Sequence, residues 1–319
     1  MLFNLEVCLL TVQKVAFLLT VILIGYIMRR SGKVEHKAAK ILSILTTHIF
    51  SPCYTLKTLP KNFTVDNLGK NLAVLGLSCA LLGLVILLSR FLAKKIGRTD
   101  FETRSLTYIF AFANTGYFGY PVIEGVFGET VLSQFMIFCV PFNITLGSYG
   151  YGLFMSEGQK INWKKAFTSP VMFGYYGGII LGLSGIPLGG LVTDTLSGLG
   201  ACMSPASMLS AGIVLGAFSA KKLLSGIRPY VYSLIRLVGI PALFSVPLFL
   251  LVFFLKLDGI FLILPMAAIA LPVGLNAVIY PESFGYDASE NAKLCFVSFV
   301  MSILTLPVVF SLASTVAGL

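Results

Sequence analysis

Apolar runs alternate along the chain with short stretches of charge, glycine and proline. Reading the runs between those breaks predicts ten helical spans, at about 8–28, 38–57, 70–93, 105–126, 131–155, 169–187, 195–219, 229–255, 259–280 and 292–316. A helix needs about 20 apolar residues to cross the roughly 30 Å hydrocarbon core of a bilayer, and the runs are near that length. Spans four and nine depart from the pattern. AFANTGYFGYPVIEGVFGE (111–129) places Asn114, Gly116, Gly119 and Pro121 close together near the middle of span four. IALPVGLNAVIYP (269–281) repeats the idea with Pro272, Gly274 and Asn276, and Pro281 ends span nine.

Composition makes lipid the expected solvent. The 319 residues are 57% hydrophobic and 11% charged, with a mean hydropathy of +0.92, whereas a soluble domain carries about 25% charged residues. The net charge of +10 then reads as basic cytoplasmic loops. Nucleic acid is set aside as a partner, because no basic run is interleaved with aromatics in a polar region. Most of the 23 Lys and Arg fall after odd-numbered spans, as in Arg29, Arg30, Lys33, Lys37 and Lys40, or Arg90, Lys94, Lys95, Arg98 and Arg104. The other side has only Lys14, Lys57, Lys61, Lys70 and Lys256, and Arg236 lies within span eight. The positive-inside bias puts both termini outside a cell membrane. The start, MLFNLEVCLLTVQKV, lacks the charge order and cleavage site of a signal peptide, so span one is expected to stay. The six cysteines show no CxxC spacing and read as small buried hydrophobes, so no metal or cofactor is expected.

Ten spans with both ends on one side make two five-span halves of opposite direction, residues 1–157 and 158–319. Such inverted repeats are a common plan for secondary transporters. Ser51-Pro52 in span two and Ser204-Pro205 in span seven, and Pro121-Val122 and Pro272-Val273 in spans four and nine, recur at nearly equal offsets.

In lipid an unpaired backbone group costs several kcal/mol, so a broken helix survives only inside protein or beside a water-filled cavity. A single proline is more simply a kink that lets neighbours approach, and Pro141, Pro241, Pro247 and Pro307 are read that way. Proline, asparagine and glycine together, at matched places in both halves, favour a substrate site. Half-helix N-termini attract anions, and Asn amides both donate and accept. The candidate substrate-binding residues are Asn114, Thr115, Gly116, Tyr117, Pro121, Pro272, Gly274 and Asn276, with His48 and Ser51 from span two. His48 has two readings, a titrating group lining the path or a side chain bonded to a backbone carbonyl. Glu124 suits a capping or gating role at the outer mouth. Arg236 is placed to snorkel inward or to meet an anion. Lys14 is expected to snorkel outward, and Asn143 and Thr145 of PFNIT to line the mobile bundle.

These residues resemble a known family. NTGYFGYPVIEGVFGE is similar to the span-four signature of the auxin efflux carrier (PIN-like) family, and ALPVGLNAVI to its span-nine counterpart. GYIMRRSGKVEHKAAKILSILTTHIFSPC and RLVGIPALF resemble its first two spans and its eighth, so the likeness covers most of the chain. Without the long cytoplasmic loop of the large plant carriers, the chain looks like a bacterial-type permease, a relative of malate and malonate transporters. The resemblance implies an all-α integral membrane fold of ten transmembrane helices, a 5+5 inverted repeat similar to the bile acid sodium symporter fold. Broken helices four and nine cross near the bilayer centre. Helices 1, 2, 6 and 7 form a scaffold and homodimer surface, and helices 3–5 and 8–10 the moving bundle. It implies substrates that are small organic anions, dicarboxylates or auxin-like acids. Asn114, Pro121, Pro272 and Asn276 are the crossing residues by that likeness.

An enzyme is not expected. His36 and His48 are too few for a multi-histidine zinc site, and no HExxH, GxSxG or paired intramembrane Asp occurs. The expected function is a secondary transporter of a small organic anion working by alternating access. A channel or a membrane sensor on the same fold is the alternative. With no intramembrane Asp, backbone carbonyls remain as sodium ligands, and coupling to protons or to sodium stays open.

Overall fold

The computed structural model describes residues 3–155, 159–161 and 163–318. The expected boundary between residues 157 and 158 lies outside them. Among the described residues the regular elements are helices: α1 (Leu5–Arg30), α2 (His36–Leu45), α3 (Ser51–Thr58), α4 (Leu68–Ile96), α5 (Asp100–Ala111), α6 (Tyr120–Thr145), α7 (Trp163–Phe167) and α8 (Pro170–Ser184). They continue with α9 (Gly190–Ala201), α10 (Met203–Leu215), α11 (Ala220–Leu223), α12 (Arg228–Leu234), α13 (Ile240–Phe254), α14 (Ile260–Ala270), α15 (Asn276–Ser283) and α16 (Ser289–Ala317). Six stretches are long and apolar enough to cross a membrane: Leu5–Arg30, Leu68–Ile96, Thr115–Gly150, Gly190–Leu215, Arg228–Phe254 and Ser289–Ala317. Pro170–Ser184 and Ile260–Ala270 are apolar but shorter. The chain is a multi-pass integral membrane protein.

Proline shapes the long helices in a regular way. Pro52, Pro121 and Pro241 each stand second in the helix that follows a π-helical turn, at Thr46–Phe50, Thr115–Gly119 and Ile235–Gly239. A proline lacks the amide that the carbonyl four residues earlier needs, and its ring crowds that carbonyl. Widening one turn relieves the clash without ending the helix. The Ser51 and Ile240 amides accordingly reach back five residues, to Thr46 and Ile235. Within α6, Gly128 adopts φ 82° and ψ 175° and divides the helix at the predicted gap between spans four and five.

The main helix pairings are α1 with α10 and α16, α2 with α10, α3 with α8 and α9, α4 with α5 and α6, and α12 and α14 with α16. In lipid, helices associate through close packing of small residues. On α8, Gly174, Gly178 and Gly182 form one ridge, and a Cβ there would meet Pro52, Leu59 and Phe63 within about 3 Å. Gly25 of α1 and Gly212 of α10 face each other the same way.

Candidate functional site

The predicted breaks meet. Helix α5 ends at Ala111, and Phe112 is extended at φ −115° and ψ 123°. The chain beyond α14 is likewise extended at Leu271, with φ −64° and ψ 150°. Ala113 pairs with Val273 as an isolated antiparallel bridge, and the Asn114 amide donates to the Pro272 carbonyl at 2.8 Å. The two irregular segments thus satisfy part of each other's backbone.

Side chains capture other backbone groups that the breaks release. Pro121 leaves the Tyr117 carbonyl without its helical donor, and the Ser204 hydroxyl of α10 donates to it at 2.8 Å. The Val273 amide cannot reach the Ile269 carbonyl and bonds to Ser298 Oγ of α16 at 3.2 Å. The Ile269 carbonyl accepts from Arg236 Nη1 at 2.7 Å. The Gly274 carbonyl lies 3.6 Å from Cys295 Sγ, and Asn291 Nδ2 donates to the Ala277 carbonyl at 2.7 Å. These partners come from α10, α16 and the turn before α13. Ser298→Ala leaves a buried amide unpaired, which costs about 1–3 kcal/mol. We expect a lower unfolding midpoint in lipid nanodiscs, with Ser298→Thr closer to wild type because the hydroxyl is kept.

A cavity of about 380 Å³ opens at the paired breaks. Asn114, Thr115, Gly116 and Tyr117 line it from the first break, and Gly274, Leu275 and Asn276 from the second. Ser43, Thr46, Thr47 and Ser51 border it from α2, the following turn and α3, and Ser207 and Ser210 from α10. Tyr108, Tyr120, Asn143, Ser169 and Tyr280 also belong to its polar wall, with Met172, Met208 and Ile279 among the apolar positions. Among the described residues, none that lines it is Asp, Glu, Lys, Arg or His. Tyr120 and Tyr175 share a hydroxyl–hydroxyl hydrogen bond, and Asn143 Nδ2 donates to Tyr175 at 3.1 Å. Asn276 Nδ2 donates to the Tyr280 hydroxyl at 3.3 Å. The first bond of the helix beyond the first break runs from the Gly119 amide to the Asn114 carbonyl. The amides of residues 115–118 therefore lie upstream of that ladder, the position at which a helix start attracts negative charge.

The candidate residues separate into two groups. Asn114, Thr115, Gly116, Tyr117, Gly274, Asn276 and Ser51 border the cavity. Pro121 and Pro272 stand behind it and act through the backbone. His48 is exposed, with Nδ1 at 3.0 Å from the Ile44 carbonyl one turn back, the backbone-bonded alternative. Glu124 accepts from Tyr54 at 2.6 Å, and Lys14 is exposed and lies across Gly125. Asn143 borders the cavity and Thr145 does not. Arg236 corrects an expectation: it does not snorkel but is fully buried, because the released Ile269 carbonyl holds it within the protein. Ser204 and Ser298 are partners of the breaks outside the set of sequence-predicted site residues. Ser204 had a signal in the repeated Ser-Pro, and Ser298 in the serines that α16 keeps buried, Ser298, Ser302, Ser311 and Ser314.

Apolar helices, two paired breaks and a polar cavity between them define a membrane transport protein. The chain belongs to the membrane transport protein family, the auxin efflux carrier or PIN-like family, whose model matches residues 10–310. It is similar to an uncharacterized transporter of Methanothermobacter thermautotrophicus, 24% identical over 310 residues covering 92% of this chain and 96% of that protein. An uncharacterized transporter of Methanocaldococcus jannaschii is 26% identical over 306 residues, covering 92% of this chain and 95% of its own.

Proposed function

We propose that this protein is a secondary carrier of small carboxylate anions, working by alternating access, with the substrate bound where two broken spans cross. The observation that carries the reading is the pairing of the breaks, Asn114 to Pro272, at the wall of a polar cavity. Asn114 and Asn276 offer carboxamide donors there, and the helix start at Thr115 offers amides and the positive end of its dipole. Among the described residues the cavity wall has no fixed cation, and a buried charge without a partner costs several kcal/mol. One carboxylate on a partly apolar body therefore suits the site better than two. The two archaeal relatives carry the name transporter, in keeping with this reading.

The wider architecture belongs to the same proposal. Ten spans form two inverted halves. Spans 1, 2, 6 and 7 make a scaffold and a homodimer surface, and spans 3–5 and 8–10 move. Both termini lie outside the cell membrane. Impermeant labelling that placed residues 94–104 outside would remove this topology.

The test is uptake into liposomes containing the purified protein, with labelled benzoate and labelled malate. Saturable uptake of benzoate is expected, reduced roughly 10-fold or more by Asn114→Ala or Asn276→Ala, the loss of a hydrogen bond to a charge. Conductive, non-saturating flux would make the protein a channel. Uptake unchanged in the double variant would move the binding site elsewhere.

A further inference from the structure

Arg236 lies in the π-helical turn Ile235–Gly239 and is wholly buried. Nη1 donates to the Ile269 carbonyl at 2.7 Å, while Nε and Nη2 have no partner among the described residues. Six ion pairs occur among those residues, and none involves Arg236. Glu102 of α5, which accepts from Tyr232 one turn before Arg236, is paired with Arg228. An arginine stays protonated in a protein, and an uncompensated buried charge is a costly feature that membrane proteins keep for function.

Its place explains the cost. Ile269 is in the last turn of α14, which stops at the second break. Its helical donor would be the Val273 amide, which is bonded to Ser298 instead. The end of a half-helix carries roughly half a negative charge. In transporters with broken helices, such ends and unwound carbonyls are where a coupling sodium ion or proton is held. Here a guanidinium already holds that position.

We propose that Arg236 is a fixed cation standing at the end of α14 in the position a mobile coupling cation would take. The proposal rests on reading the paired breaks as the carrier's binding centre. It makes Arg236 a positioning residue: it is not among the cavity-lining residues, and it acts through the carbonyl end of the break.

The experiment needs no transported substrate and uses sodium ion as its probe. The full chain in lipid nanodiscs is unfolded thermally in sodium chloride and in N-methylglucamine chloride at matched ionic strength. Wild type is expected to melt at one temperature in both. Arg236→Gln is expected to melt higher in sodium than in N-methylglucamine, by about 3 °C or more, as the vacated carbonyl end takes the ion. Arg236→Lys keeps a charge and is expected to remain indifferent to sodium. A strut that merely ties two helices together gives no sodium dependence in any variant. Sodium stabilisation of wild type overturns the proposal, and so does an Arg236→Gln protein equally weak in both salts. Arg236→Thr is the second neutral variant, leaving more room for an ion. Failure of both neutral variants to fold in sodium also overturns the proposal, because the ion should restore what the guanidinium supplies. Loss of benzoate uptake in the liposome test, by contrast, removes the carrier reading and leaves these melting results as they are.

Discussion

Gly212→Leu yields no folded, monodisperse protein. A Cβ at residue 212 would stand 2.0 Å from the Ile22 carbonyl oxygen, 2.7 Å from the Tyr26 nitrogen and 2.9 Å from the Gly25 Cα. All three are backbone atoms of α1, so no side chain can swing aside. Inserting a methylene into a packed core costs about 1–3 kcal/mol when neighbours can adjust. Here two helices must separate along their length, and in lipid no hydrophobic drive brings them back. The pair α1 and α10 is a principal packing in the structure, and a whole domain is stable by only about 5–15 kcal/mol. Size-exclusion profiles and thermal unfolding in nanodiscs measure the effect. Gly76→Leu is the control, since nothing lies within 4 Å of a Cβ there. A Gly212→Leu protein that matched it would show that the contact between α1 and α10 contributes little.

The sequence carried the helices and the places where they break, because both follow from local chemistry. Apolar runs mark helices, and proline with asparagine and glycine marks interruptions near 114–121 and 272–276. What catches the freed backbone is not local. Pro121 predicts that the Tyr117 carbonyl loses its donor, but nothing near it in sequence points to Ser204. Ser298 and Arg236 are hidden for the same reason, since each meets its partner only in the folded chain. The π-helical turns misdirect a face-by-face reading as well. With five residues in the turn Thr46–Phe50, Thr46, Thr47 and Ser51 border the cavity while His48 is exposed. A strict 3.6-residue period cannot show that shift.

Tyr54→Phe opens the cavity toward the side that carries Lys57 and Lys61. On the carrier reading, contacts between α3, with the turn after it, and the first half of α6 hold that side shut. Lys61 Nζ lies 2.6 Å and Lys57 Nζ 3.7 Å from Glu129, Asn62 Nδ2 donates to the Thr130 carbonyl at 3.4 Å, and Ser133 Oγ to the Leu59 carbonyl at 3.3 Å. The lysine pairs are partly exposed, and such pairs are worth about 0–1 kcal/mol. The bond from the buried Tyr54 hydroxyl to Glu124, at 2.6 Å, is the stronger latch. A hydrogen bond to a charged group contributes about 1.5–3 kcal/mol, so its loss shifts an opening equilibrium by roughly 10- to 150-fold. The Tyr54 ring also stacks on Tyr120, centroids 6.2 Å apart at 11°, and Tyr120 belongs to the hydroxyl network beside the cavity. The Tyr54–Glu124 bond is therefore connected to the cavity wall through one aromatic contact. The readout is labelling of Ser207→Cys, a cavity position, by an impermeant maleimide added on the lysine side, after the exposed Cys79 and Cys202 have been replaced by serine. Tyr54→Phe should raise the labelling rate several-fold more than Lys61→Ala does. Equal rates in wild type and in the Tyr54→Phe, Lys61→Ala double variant would mean that these contacts do not hold this side closed.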